Sequence, residues 1–164
     1  MIIKEITGRR SIRSYKPDPV SDDAIIEIIK AAEFAPSGRH IRPIEYIIVK
    51  DKTIKKKLFD IFGDNFINEA PALIIPISDT GKSPLSMQDL SIASGYMFLQ
   101  AKSLGLGTVW KNINEEKKGE VKQLLAIPAG YTMINMIPVG YPAENPPEHA
   151  DDEFDAGKIH LEKF

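Results

Sequence analysis

The sequence predicts one domain that mixes helices with strands, and three observations predict it. A chain of 164 residues with 43% hydrophobic content is long enough to close around one core. Short β-branched apolar runs alternate along it with stretches of helical spacing. A helix-length run with almost no charge lies past the midpoint. Alternation alone does not decide between a doubly wound parallel sheet and a mainly antiparallel sheet flanked by helices.

The elements follow in order. After a basic segment at 9–13 and a proline-rich stretch ending at Pro19, Ser21 with Asp22 and Asp23 reads as a helix start with acids in its first turn. Ile25, Ile28, Ile29 and Ala32 form its apolar stripe, and Pro36-Ser37-Gly38 stops it near Ala35 by removing a backbone donor and permitting a sharp turn. Residues 45–49 suit a buried strand, 52–62 show helical spacing through Ile54, Leu58, Ile61 and Phe62, and 72–77 suit a second buried strand.

Ser86-x-x-Asp89 matches a capping box, which makes N-capping the expected role of Asp89. It opens the run 90–104, which is apolar on nearly every side, carries only Lys102 as a charge, and is expected to be a central buried helix. Tyr96 and Trp110 are read as core residues. Residues 105–110 look like a helix exit feeding a strand, 115–125 like a short amphipathic helix, and 131–139 like the last core strand. From Pro142 the chain is proline-rich and acidic, too poor in apolar residues to fold alone, and is expected to cross the surface onto a partner subunit.

Composition narrows the function classes. A net charge of -2 gives no general attraction to polyanions, so nucleic acid is not an expected partner. With no cysteine there are no disulfides, thiolate metal sites or cysteine nucleophiles, in keeping with a reducing cytoplasm. The three histidines have no metal-ligand spacing, so no metal is assigned. The N-terminus meets charge at Lys4, which argues against a signal peptide or membrane span.

Three segments carry candidate chemistry. Arg9-Arg10-Ser11-Ile12-Arg13-Ser14 packs guanidinium forks and hydroxyls that suit a phosphate, although a solvated basic face has the same composition. The loop Pro36-Ser37-Gly38-Arg39-His40-Ile41-Arg42-Pro43 offers a hydroxyl, a close-approach glycine and several donors, or is simply a turn that ends a helix. Gly105-Leu106-Gly107-Thr108 could bring backbone N–H groups to a flat ring, but a Schellman-type helix stop is the commoner cause of such glycines.

Taken together and in order, these segments resemble the nitroreductase family. Its members open with an Arg-Arg-Ser-x-Arg-like segment, follow with a Pro-Ser-x-x-Asn-x-Gln-Pro loop, and carry an Asp-led core helix running into Gly-Leu-Gly-Thr-x-Trp. Here those features stand at 9–13, 36–43, 89–104 and 105–110, and Ile137-Pro-Val-Gly-Tyr-Pro142 and Lys158-Ile159-His160 match the closing motifs. The resemblance spans essentially the whole chain.

It implies an α+β fold, an α/β/α sandwich with a mainly antiparallel sheet, and FMN at a homodimer interface. Arg9, Ser11 and Arg10 would serve the FMN phosphate and ribityl chain, and Arg13 the pyrimidine edge, where a cation stabilises the reduced ring. Pro36, Ser37, Gly38, His40 and Arg42 would reach the flavin of the other subunit, and Gly105, Leu106, Gly107 and Thr108 would line the ring. Lys158 and His160 stand where Arg-x-His is usual, so charge is kept without a bidentate fork. His40 replaces the usual Asn and Arg42 the usual Gln, which exchanges an amide donor for a titratable one.

The implied activity is transfer of electrons from NADH or NADPH to a small-molecule acceptor by a ping-pong route. No catalytic side chain is expected, since the flavin carries the chemistry. Two readings compete with it: a noncatalytic flavin-binding or flavin-carrier protein, and an interaction protein whose basic segment binds an acidic partner.

Overall fold

A computed structural model describes residues 2–164. Its sheet has the order β1 (Ile44–Val49), β2 (Ala72–Asp79), β6 (Asn135–Gly140), β3 (Gly107–Thr108), with β4 (Lys111–Asn112) also on β6 and β5 (Tyr131–Thr132) on β2. Every strand pairing is antiparallel, which settles the ambiguity left by the alternating pattern.

The period-2 pleat of β2 divides the core between the two faces of the sheet. Leu73, Ile75 and Ile77 pack on one side with Leu58 of α3 (Lys52–Phe62), Ile67 of α4 (Phe66–Glu69) and Val121 of α6 (Glu115–Leu124). Ala72 and Ile74 pack on the other with Ile25, Ile28 and Ala32 of α2 (Asp22–Glu33) and Ala93, Met97 and Ala101 of α5 (Ser86–Ser103). The result is an α/β/α sandwich of the α+β class.

Local chemistry sets the boundaries. Ser21 caps α2 by accepting the Ala24 N–H at 3.2 Å, and Asp51 caps α3 by accepting that of Ile54 at 2.9 Å. Gly63 ends α3 in the left-handed region at φ 79°. A short helix, α1 (Lys4–Gly8), precedes the basic segment and is too brief for periodicity to reveal.

Three expectations need correction. The single strand expected over 131–139 is broken: Thr132 faces Ser78 and Ile137 faces Ile74, so four residues on one side oppose three on the other. That is a β-bulge, and the residues opposite it include Pro76, which has no N–H to offer a ladder. At the bulge Asn135 is fully buried and donates to Ser94 Oγ at 3.0 Å.

The long helix is not buried all round. Leu90, Ala93, Met97 and Ala101 face the sheet, whereas Met87, Ile92 and Tyr96 are 53%, 40% and 41% exposed. Tyr96 and Trp110 therefore lie outside the protomer core. The capping box does not form either: Leu85 is the N-cap with no side-chain bond, and Asp89 turns away from the helix end to bind another loop.

Candidate functional site

The C-terminal end of α5 builds the main cleft. Leu106 N–H bonds to Ala101 O at 2.9 Å and Gly105 N–H to Lys102 O at 3.0 Å, a Schellman stop with Gly105 at φ 73°. The chain then runs directly into β3. Phe98 and Lys102, four residues apart and so on one helix face, are left lining the cleft.

The basic segment forms the opposite side. Ser11 bridges Thr108, and Ile12 N–H bonds to Thr108 O at 2.9 Å, laying 9–12 flat against 105–108. The approach is close because residue 107 is glycine: a Cβ there would come within 2.7 Å of the Ile12 side chain. Tyr15 pins the segment by donating to Ile12 O at 2.7 Å, and burial, then Glu144, push its phenol up so that it stays protonated.

The start of the tail closes the outer wall. Ala143 N–H bonds to Ser14 O and His149 N–H to Thr7 O, each at 2.9 Å. Glu144 accepts the backbone N–H groups of Arg13 and of Ser14, the latter at 3.0 Å, and Arg10 donates to Pro147 O at 2.5 Å. The cleft, about 560 Å³ including its open mouth, thus carries Arg9, Arg10 and Lys102 on its lining. Arg9 also sits 5.9 Å over the Phe98 ring, and Trp110 meets Phe98 edge-on at 6.3 Å.

Three cations beside aromatic and glycine-backed walls suit a phosphorylated group with a flat body. Glu144 does not oppose this charge freely, because two backbone N–H groups already occupy one of its oxygens.

Comparison with known proteins agrees. The model of the nitroreductase family matches residues 6–73 and 62–141. The chain belongs to the nitroreductase family. Its relatives include an Archaeoglobus fulgidus protein named provisionally as an NADH dehydrogenase/NAD(P)H nitroreductase, 35% identical over 99% of this chain and 98% of the relative. A Methanothermobacter thermautotrophicus protein of the same provisional name is 36% identical over 99% of this chain and 87% of the relative. The solved FMN-dependent nitroreductase of Clostridium difficile superposes with a TM-score of 0.90 at 32% identity, over 99% of this chain and all of that one.

In this nitroreductase-family chain, one protomer brings together only part of the expected set. Arg9, Arg10, Gly105, Leu106, Gly107 and Thr108 line the cleft, whereas Ser11 is bridged to Thr108 beside it and is not part of the lining. Arg13 is exposed and absent from the lining. Pro36, Ser37 and Arg42 line a separate hollow with Tyr46 and Asp89, Gly38 lies against Leu85, and His40 is exposed. Lys158 and His160 are exposed as well; Lys158 lies 3.9 Å from Asp155, and the His160 ring rests on Phe164 at 4.3 Å. Convergence of the two chain ends on the cleft therefore stops at Glu148 within one copy.

The 36–42 loop is held in an unusual shape. Arg39, His40 and Arg42 have φ of 51°, 58° and 52°, left-handed values that cost a non-glycine residue roughly 1–2 kcal/mol each. Histidine tolerates this region better than most residues, as the Asn usual at position 40 does. The loop's tether is Asp89, whose Oδ1 accepts the Gly38 N–H at 2.9 Å.

Lys102, Phe98, Glu144 and Glu148 do not stand out as site residues in the sequence, and Asp89 stands out there as a helix cap and not as a tether for the 36–42 loop. Lys102 has a signal there, being the lone charge on an apolar helix. The glutamates reach the site only by the fold of the tail, which no local pattern encodes.

Proposed function

We propose that this protein is an FMN-dependent oxidoreductase that uses NADH or NADPH to reduce a small acceptor, working as a homodimer. The observation that carries the reading is the cleft in which Arg9, Arg10 and Lys102 face the glycine-backed 105–108 segment. The name of the C. difficile relative supports FMN, and those of the Archaeoglobus and Methanothermobacter relatives support NAD(P)H. When bound, FMN supplies the two-electron exchange, accepting hydride from the nicotinamide and returning electrons to a nitroaromatic, quinone, enone or free flavin in alternation.

The chain's own work is binding and placement. Arg9, Arg10 and Lys102 hold the phosphate with charge-assisted hydrogen bonds, and Arg9 is kept in place by Phe98. Ile12 and Gly107 keep that side of the cleft flat. The loop carrying His40 and Arg42, together with Lys158 and His160, serves the cleft of the second copy, since neither reaches the cleft of its own. The exposed Ile92 and Tyr96, one turn apart on α5, form the face on which the copies join, and the exposed Phe154, Ile159, Leu161 and Phe164 of the tail pack on the partner. Among the described residues no helix is long and apolar enough to cross a membrane.

Anaerobic addition of NADH or NADPH to the FMN-loaded protein should bleach the flavin absorbance, and menadione or a nitroaromatic should restore it. Absence of bleaching with both nucleotides would overturn the oxidoreductase reading and leave a flavin carrier.

A further inference from the structure

Two charged side chains are buried among the described residues, Lys55 and Asp89. Lys55 is plainly structural, because its ammonium donates to the carbonyls of Asn68 and Ala70 at 3.2 and 2.7 Å and so closes the end of α4. Asp89 closes nothing on its own helix. One carboxylate oxygen accepts the Gly38 N–H and the other the Ser83 hydroxyl, both at 2.9 Å, so a carboxylate only 2% exposed joins two loops. Ser83 Oγ in turn accepts the Leu85 N–H at 3.1 Å, and the Leu85 side chain would come within 2.8 Å of any Cβ on Gly38.

What this junction holds is the left-handed run at Arg39, His40 and Arg42. Such backbone persists only where its surroundings over-determine it. The remaining bonds are internal to the loop: Ser37 Oγ accepts the Arg42 N–H at 3.0 Å, and His40 and Ile41 donate back to Ser37 and Gly38 at 2.9 and 3.1 Å. Among the described residues, the Gly38–Asp89 bond is the one hydrogen bond by which 37–42 is tied to another element.

We infer that Asp89 is a positioning residue for the reaction: it fixes the strained 36–42 loop and thereby the placement of His40 and Arg42. The inference rests on the proposed function for its catalytic meaning, since that reading sends the loop to the partner's cleft. The clamp itself does not depend on a flavin. An asparagine can reproduce it, because its oxygen accepts the Gly38 N–H and its amide donates to Ser83 Oγ, whereas alanine leaves both groups unpaired.

The test uses the full-length holoprotein as wild type, Asp89→Asn, Asp89→Ala and Ser83→Ala, with two readouts. In amide hydrogen exchange, Asp89→Ala should speed exchange of 37–42 by about tenfold or more while β2 and α3 keep their protection. In steady-state kinetics it should raise the acceptor KM about tenfold, with a smaller rise in the FMN dissociation constant, because the loop reaches the flavin while the Arg9 cluster that holds its phosphate is untouched. Asp89→Asn should restore both readouts, and Ser83→Ala should fall between. Should Asp89→Ala not fold, Ser83→Ala against Asp89→Asn decides the question by the same readouts. Unchanged exchange in 37–42, or a uniform loss of protection across the sheet, overturns the clamp. Faster loop exchange with unaltered acceptor kinetics overturns its role in the reaction. A wild type that binds no FMN defeats the proposed function instead, and the exchange data still judge the clamp.

Discussion

At the scale of single residues, two glycines in one motif do different jobs. Gly105 ends α5 at a positive φ with nothing within 4 Å of where a Cβ would stand, while Gly107 is needed for space beside Ile12. Gly105→Ala should therefore lower stability by about 1–2 kcal/mol, measured by urea unfolding. Gly107→Ala should cost about 1–3 kcal/mol by overpacking and also weaken FMN, because it pushes the Arg9–Arg10 backbone off the cleft wall. Shortening Ile12 to Ala should partly restore FMN binding in the Gly107→Ala protein; failure to do so would show that the collision is not the cause. Both glycines are visible in the sequence as candidates for a ring-facing or helix-ending role. Only the fold separates the two, because a left-handed φ and a lack of room leave the same letter.

At the scale of elements, the boundaries of α2, α3, α6 and β1 are legible because each is written in adjacent residues: Ser21 before Asp22, Asp51 before the stripe of Ile54 and Leu58, a proline after α2. What is not legible depends on partners distant in sequence. The bulge in the last strand answers to Pro76 on β2, and the role of Asp89 answers to Gly38, fifty-one positions away. Asp89 also matches a local motif that proves false, since a capping box read from spacing ignores the stronger claim of a backbone N–H arriving from another loop. The bulge makes a prediction of its own. Asn135→Ala should destabilise the fold by about 1–3 kcal/mol through loss of a buried hydrogen bond. Ser94 still donates to Leu90 O at 2.7 Å without it. The double variant Asn135→Ala/Ser94→Ala should then cost less than the sum of the single ones, and strict additivity in thermal or urea unfolding would contradict the pairing.

At the scale of the whole molecule, the fold class, an α/β/α sandwich with an antiparallel sheet, follows from the resemblance and not from the alternation of elements. The candidate site is only half readable: residues near each other in sequence, such as 9–12 and 105–108, can be found there, while the reach of the tail to the cleft cannot. One protomer leaves Met87, Ile92 and Tyr96 on α5 and Phe154 and Phe164 on the tail uncovered, and leaves the His40 loop away from its own cleft. Both facts fit the proposed second copy. Ile92→Glu combined with Tyr96→Lys should convert a dimer to a monomer in light scattering and lower FMN affinity by about tenfold or more, although neither residue lines the cleft. A variant that stays dimeric, or a monomer that binds FMN as the wild type does, would rule out a site shared between copies.

If Arg9 and Arg10 hold a phosphate, the protein must distinguish FMN from riboflavin, which lacks that group, and a fluorescence-quenching titration with the two flavins reads the difference. Wild type should prefer FMN, and Arg9→Ala should remove about 1.5–3 kcal/mol, or about one to two decades, of FMN affinity with little effect on riboflavin. Equal affinity of the wild type for the two flavins, or an FMN preference that survives in Arg9→Ala/Arg10→Ala, would contradict the phosphate role.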